Sequence, residues 1–200
     1  MKTLKQFLQR LARFFGLGTN ETSDPLTSLA QKIESRATLE TIPLAESQKQ
    51  VLSDISTNAR DSRSQPGGNA IVLFAGVNRT GKTSAAKVIA GDLKRDLYRV
   101  DLNKLVSKYI GETEKNLNRL FDAAESAGAI LFFDEAEALF GKRGEVKDSH
   151  DRYANLEISY LLQRLESFDG LVILGTNNEE DTPEKFRRRI RFVMDFPPPD

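Results

Sequence analysis

The chain has 200 residues, with 29 lysines and arginines against 29 aspartates and glutamates, one histidine and no cysteine. That length suits one domain with extra segments and a core of useful size. The missing cysteines exclude disulfides and thiolate metal sites, His150 alone cannot build a metal site, and the balanced charge argues against general nucleic-acid binding.

Residues 1–18 come first. Leu4, Phe7, Leu8, Leu11, Phe14 and Phe15 fall at helical spacing, with Lys2, Lys5, Arg10 and Arg13 between them. The pattern predicts a basic amphipathic helix ending near Gly16 and Gly18. Its two faces suit a membrane surface, a groove on a partner, or packing on the chain's own core. No apolar run in the chain approaches the roughly 20 residues that span a bilayer. The N-terminus also lacks the unbroken apolar block of a secretory signal. A cytoplasmic setting is expected, with peripheral membrane contact as the alternative for residues 1–18.

Residues 19–69 are polar and interrupted, and read as a linker with one or two helices. One helix is expected from Asp24-Pro25 to about Arg36. A second follows Pro43 and carries Leu44, Val51, Leu52 and Ile55. The run from Asp61 to Asn69, with Pro66, Gly67 and Gly68, reads as a loop.

From Ala70 to Asp200, short apolar runs alternate with longer helical patterns. Strands are expected at Ala70–Ala75, Tyr98–Leu102, Ala129–Phe133, Leu171–Gly175 and Arg191–Phe196. Helices are expected at Lys82–Leu97, Glu112–Ala127 and Asp151–Phe168. Such alternation implies an α/β fold, with helices covering both faces of a parallel five-stranded sheet. Ligands of such sheets sit at the carboxyl ends of the strands.

Gly76-Val77-Asn78-Arg79-Thr80-Gly81-Lys82-Thr83 matches G-x-x-x-x-G-K-[ST], and it joins an expected strand to an expected helix. In that context backbone N–H groups point at phosphate oxygens and Gly81 lets the main chain come close. Lys82 places a cation on the β- and γ-phosphates, and Thr83 offers a hydroxyl to magnesium. Ser84, in the first helical turn, completes the cofactor-binding set. The strand Ala129–Phe133 ends in Asp134-Glu135. Adjacent carboxylates at the end of a buried strand are costly unless they meet cations. Asp134 is placed to hold Mg2+, and Glu135 to orient and activate the attacking water. ATP and Mg2+ are the expected cofactors.

With these two motifs, each at the end of an expected strand, the chain resembles the AAA family of ATPases, from Ala70 to Asp200. The resemblance implies a P-loop three-layer sandwich and several further roles. Ser107 to Leu117 is similar to the segment carrying the family's central pore loop, so Tyr109, flanked by Lys108 and Ile110, would grip a polypeptide; packing at a strand–helix junction is the alternative. Leu174-Gly175-Thr176-Asn177 resembles the strand-end sensor, which gives Asn177 a place beside the γ-phosphate, although a turn-forming asparagine reads the same. Phe186 to Phe192 resembles the arginine-finger segment, with Arg188 and Arg191 at the matching spacing, reaching the ATP of a neighbouring subunit. A solvated basic run is the plainer reading of those residues. Arg152 would lie near the subunit boundary. The stretches Phe140–Asn155 and Arg189–Asp200 are similar to ATPases encoded with contractile, phage-tail-like injection systems.

Two departures from the family pattern stand out. Family phosphate loops usually read G-P-P-G-T-G-K-T, whereas Val77, Asn78 and Arg79 fill the second to fourth positions here. Losing the prolines loosens the free loop, and Arg79 strains the backbone if its φ is positive. The family's small helical lid is also expected to be missing after Asp200. The resemblance implies remodelling of a protein substrate by a homo-oligomer, a hexamer in the family, or by a chain paired with a lid-supplying partner. The alternative is a nucleotide-binding interaction module with little turnover of its own.

Overall fold

The computed structural model describes residues 25–35, 37–62, 70–105, 111–137 and 159–198. The amphipathic helix expected at 1–18 lies outside them. In chain order the elements are α1 (Pro25–Leu29), β1 (Ala30–Ile33), α2 (Glu46–Ser62), β2 (Ala70–Ala75), α3 (Lys82–Leu93), β3 (Leu97–Val100), α4 (Leu102–Leu105), α5 (Glu112–Ala127) and β4 (Ile130–Phe133). Helical residues 159–167 (α6) follow, then β5 (Leu171–Thr176), a 3-10 turn (Glu179–Asp181), α7 (Glu184–Arg187) and β6 (Ile190–Asp195).

The strands form one six-stranded sheet in the order β1-β3-β4-β5-β2-β6. Five of them run parallel, as the apolar runs predict, and β1 adds an antiparallel edge. Alternate residues of each strand feed opposite faces, because side chains on a strand have period two. Leu73, Leu131, Phe133, Val172 and Leu174 enter one apolar layer with Leu117, Leu120 and Phe121 of α5 and Leu161 and Leu165 of α6. Val72, Phe74, Ile130, Phe132 and Ile173 enter the other, with Ala85, Ala86 and Ile89 of α3 and Leu52 and Ile55 of α2. Helices on both faces of a twisted parallel sheet make the three-layer sandwich.

Three expectations need correction. The helix expected from Asp24-Pro25 to Arg36 stops at Leu29, and Ala30–Ile33 become the sixth strand. The free edge of β3 recruits this segment in register from Ala30↔Val100 to Ile33↔Leu97. Lys32 Nζ reaches Asp96 Oδ2 at 2.7 Å, and Arg99 donates to Gln31 Oε1 at 3.1 Å. Tertiary pairing here outweighs a weak local helical preference. The helix expected from Lys82 to Leu97 ends at Leu93, because Lys94 turns left-handed at φ 53°. The N–H of Lys94 and that of Arg95 then close back onto Gly91 and Ala90, and Leu97 is freed to begin β3. That strand, expected at Tyr98–Leu102, therefore starts and ends earlier, at Leu97 and Val100.

The stretch read as a linker supplies core. Leu26, Leu29 and Ala30 join one apolar layer, and Ile42, Leu52, Ile55 and Ala59 the other. Gln48 of α2 also donates to the Asp195 carbonyl at 2.8 Å, tying α2 to the end of β6.

Candidate functional site

The sheet order sets three neighbouring strand ends side by side. Ala75 of β2 pairs with Thr176 of β5, and Leu174 of β5 pairs with Phe133 of β4. The phosphate loop leaves β2, Asn177 follows β5, and Asp134-Glu135 follow β4. Two backbone bonds fasten these exits: Gly76 N to Thr176 O at 3.0 Å and Ala136 N to Gly175 O at 2.7 Å. Residues distant in sequence thus converge at one carboxyl edge, where such sheets bind ligands.

The loop's shape comes from three residues at positive φ: Gly76 at 151°, Arg79 at 69° and Gly81 at 110°. Gly76 has no alternative, because a Cβ there would lie 2.3 Å from the Phe196 carbonyl oxygen. Thr80 Oγ1 closes the turn onto Val77 O at 2.8 Å. Val77, Asn78 and Arg79 are exposed at the rim, while α3 begins at Lys82 with Thr83 half-buried and Ser84 exposed.

Lys82 is only 5 % exposed. Its ammonium folds back to donate to the carbonyls of Gly76 and of Val77, the latter at 3.1 Å. Burial pushes its pKa below the ordinary lysine value of 10.5, while the carboxylates of Asp134, Glu137 and Glu135, in that order, work against the fall. A buried cation bonded to carbonyls at the mouth of a left-handed loop, with α3 opening behind it, fits a nucleotide's phosphates. Among the described residues no group of three or more His, Asp or Glu side chains forms a metal site. Thr83 and Asp134 offer oxygen donors of the kind Mg2+ takes alongside waters and phosphate.

Asp134 is half-buried beside Gly175, whose missing side chain makes room for it; a Cβ there would meet Asp134 Oδ1 at 3.3 Å. Glu135 is exposed and sits at φ 58°, a left-handed conformation that costs a residue with a side chain roughly 1–3 kcal/mol. That strain falls on the very residue assigned to water activation. Asn177 is exposed, and its Nδ2 donates to Glu137 Oε1 at 2.5 Å. Sequence reasoning passed over Glu137. No local pattern marks it, because its contact with Asn177 depends on the sheet order that sets the ends of β4 and β5 side by side.

Arg188 and Arg191 are not brought to this edge. Ile190 pairs with Ile71, at the opposite end of β2 from the loop. Ile71 and Ala75 are four strand steps apart, about 13 Å at about 3.3 Å per residue. Arg188 is exposed and meets Glu184 at 3.3 Å, and Arg191 is exposed on edge strand β6. Lys108, Tyr109 and Ile110 lie outside the described residues, as do His150, Arg152 and the rest of Phe140–Asn155.

This architecture defines a P-loop nucleotide-binding protein. Residues 72–198 match the model of the family described as "ATPase family associated with various cellular activities (AAA)", and the chain belongs to that family. It is 32% identical over 131 residues to an uncharacterized AAA family ATPase, y4kL, of Sinorhizobium fredii, covering 64% of this chain and 39% of that one. It is 36% identical over 135 residues to the proteasome-activating nucleotidase of Aeropyrum pernix, covering 64% and 33%. The chain thus spans about two fifths or less of the length of these relatives. The crystal structure of the FIGL-1 AAA domain superposes with a TM-score of 0.67 at 21% identity, covering 91% of this chain and 63% of that one, which speaks to fold.

Proposed function

We propose that the chain binds ATP with Mg2+ and hydrolyses it to drive the remodelling or disassembly of a protein complex. One observation carries this reading: the phosphate loop with Lys82, the Asp134-Glu135 pair and Asn177 meet at adjoining strand ends. The loop and α3 hold the phosphates through backbone N–H groups and Lys82. Mg2+, when bound, would offset phosphate charge and orient the terminal phosphoryl group. Glu135 takes the proton of the attacking water, and Asn177 helps to place that water.

Arg188 and Arg191 lie too far from their own loop to serve it. They are assigned to the nucleotide of a neighbouring copy, where a cation arriving in trans stabilises transition-state charge. That assignment requires a homo-oligomer, for which the family's hexamer is the template. The segment Lys108-Tyr109-Ile110 is assigned to grip a polypeptide. The resemblance of Phe140–Asn155 and Arg189–Asp200 points to a contractile, sheath-like assembly as substrate. Residues 1–18 are assigned to a partner or to a membrane surface in a cytoplasmic protein. A second reading, a nucleotide-responsive docking module with slow turnover, draws support from the strained Arg79.

The test is steady-state ATP hydrolysis across a range of protein concentrations. Turnover per chain should rise with concentration, and Glu135→Gln should lower it at least a hundredfold, on the scale of lost general base catalysis, while ATP still binds. Hydrolysis unchanged by Glu135→Gln would overturn the assignment. ATP binding without turnover at any concentration would favour the docking module.

A further inference from the structure

Glu137 is half-buried at the site and held there by one hydrogen bond. Its Oε1 accepts a hydrogen bond from Asn177 Nδ2 at 2.5 Å, and its Oε2 is buried with no hydrogen-bond partner among the described residues. The same carboxylate contributes to the field at Lys82, after Asp134 and ahead of Glu135. It is therefore close to the phosphate site and not a solvated surface acid.

The chemistry of the pair is directional. An ionised carboxylate only accepts hydrogen bonds, whereas a primary amide has a donor end and an acceptor end that differ little in shape. Facing Glu137, Asn177 must present its NH2 group. One N–H is taken by Oε1, and the second is left to point elsewhere. Without the carboxylate the amide can rotate by half a turn and offer its carbonyl oxygen, which a phosphate oxygen would repel.

We propose that Glu137 is a positioning residue that fixes the flip of the Asn177 amide, so that its second N–H is presented to the terminal phosphate of a bound nucleoside triphosphate. The inference rests on the nucleotide site proposed above and adds a selectivity element to it. A diphosphate lacks the oxygen that this N–H meets, so the pair favours triphosphate over diphosphate.

The experiment is equilibrium titration of the full chain with ADP and with a non-hydrolysable ATP analogue in the presence of magnesium. Unsubstituted chain is compared with Glu137→Gln, Asn177→Ala and the double variant. Glutamine keeps the shape of residue 137 but can present either a donor or an acceptor, so it no longer dictates the flip. Glu137→Gln should reduce the preference for the triphosphate analogue by about three- to tenfold, the worth of one hydrogen bond. It should leave ADP affinity intact or improved, because a negative charge near the phosphates has gone. Asn177→Ala should reduce the preference similarly, and the double variant should lose no more than Asn177→Ala alone. A purely structural Glu137 would lower the thermal midpoint without moving the ratio of the two affinities. An unchanged ratio, or a Glu137→Gln effect that persists in full when Asn177 is already alanine, overturns the inference. If the unsubstituted chain binds neither nucleotide, the site reading fails and this inference with it.

Discussion

Arg79 occupies a left-handed position that glycine usually fills in loops of this family, and its φ of 69° shows the mismatch that the altered loop sequence implies. The strain can be read from a pair of variants. Arg79→Ala keeps the side-chain penalty without the charge, and Arg79→Gly removes it, so the glycine variant should be the more stable of the two by about 1 kcal/mol in chemical denaturation. If the alanine variant is as stable as the glycine variant, the loop is not strained there.

Lys82 gives a prediction with two opposite signs. Its folded-state pKa lies below 10.5 because burial disfavours the ammonium. As pH rises from that lowered value towards 10.5, the folded chain loses the proton while the unfolded chain keeps it. The contribution of Lys82 to stability therefore increases through this window. Nucleotide affinity should fall through the same window, since the neutral amine no longer neutralises phosphate. Calorimetric titration together with thermal melts across alkaline pH checks both slopes.

At the scale of elements, α3 and α5 show why some boundaries are legible and others are not. Helix α5 ends where Gly128 adopts φ 60° and closes its backbone on Ala124 and Glu125, a stop signal readable from the glycine. Helix α3 ends in the same left-handed manner at Lys94, a residue that gives no such signal, and the sequence pattern overran it. Replacing Lys94 by glycine should stabilise the chain by roughly 0.5–1 kcal/mol, because relief of the left-handed penalty exceeds the added freedom of the unfolded chain. A lower denaturation midpoint for this variant would contradict that account. The edge strand β1 was hidden for a different reason. Ala30-Gln31-Lys32-Ile33 carries little intrinsic strand preference, and only the exposed edge of β3 makes it a strand. The phosphate loop, the acidic pair and five strands were legible, because each couples a local pattern to a position in the α/β repeat. The partnership of Glu137 with Asn177 was not, because it joins residues 40 apart in sequence through a sheet order that no local pattern encodes.

Across the whole molecule, the phosphate loop rests on the segment that follows the last strand. Phe196 N donates to Ala75 O at 2.7 Å, its carbonyl lies under Gly76, and its ring packs edge-on against Phe74 with centroids 5.1 Å apart. Gly76→Ala should therefore cost both fold stability and nucleotide binding, because its Cβ would meet backbone at 2.3 Å. Gly111→Ala is the control. It also has positive φ, 79°, but no atom among the described residues within 4 Å of the added Cβ, so it should lose only about 1–2 kcal/mol of conformational energy. Equal losses in melting experiments on the two variants would argue against the contact.

The same contact makes the chain beyond β6 a tether on the site. Pro197 and Pro198 follow directly, and prolines stiffen the path along which a pull is transmitted. Phe196 stands between these prolines and the Gly76 backbone, which it contacts directly. The path of the chain after β6 and the shape of the Gly76 turn are therefore coupled through this single contact, so a shift in one is expected to shift the other.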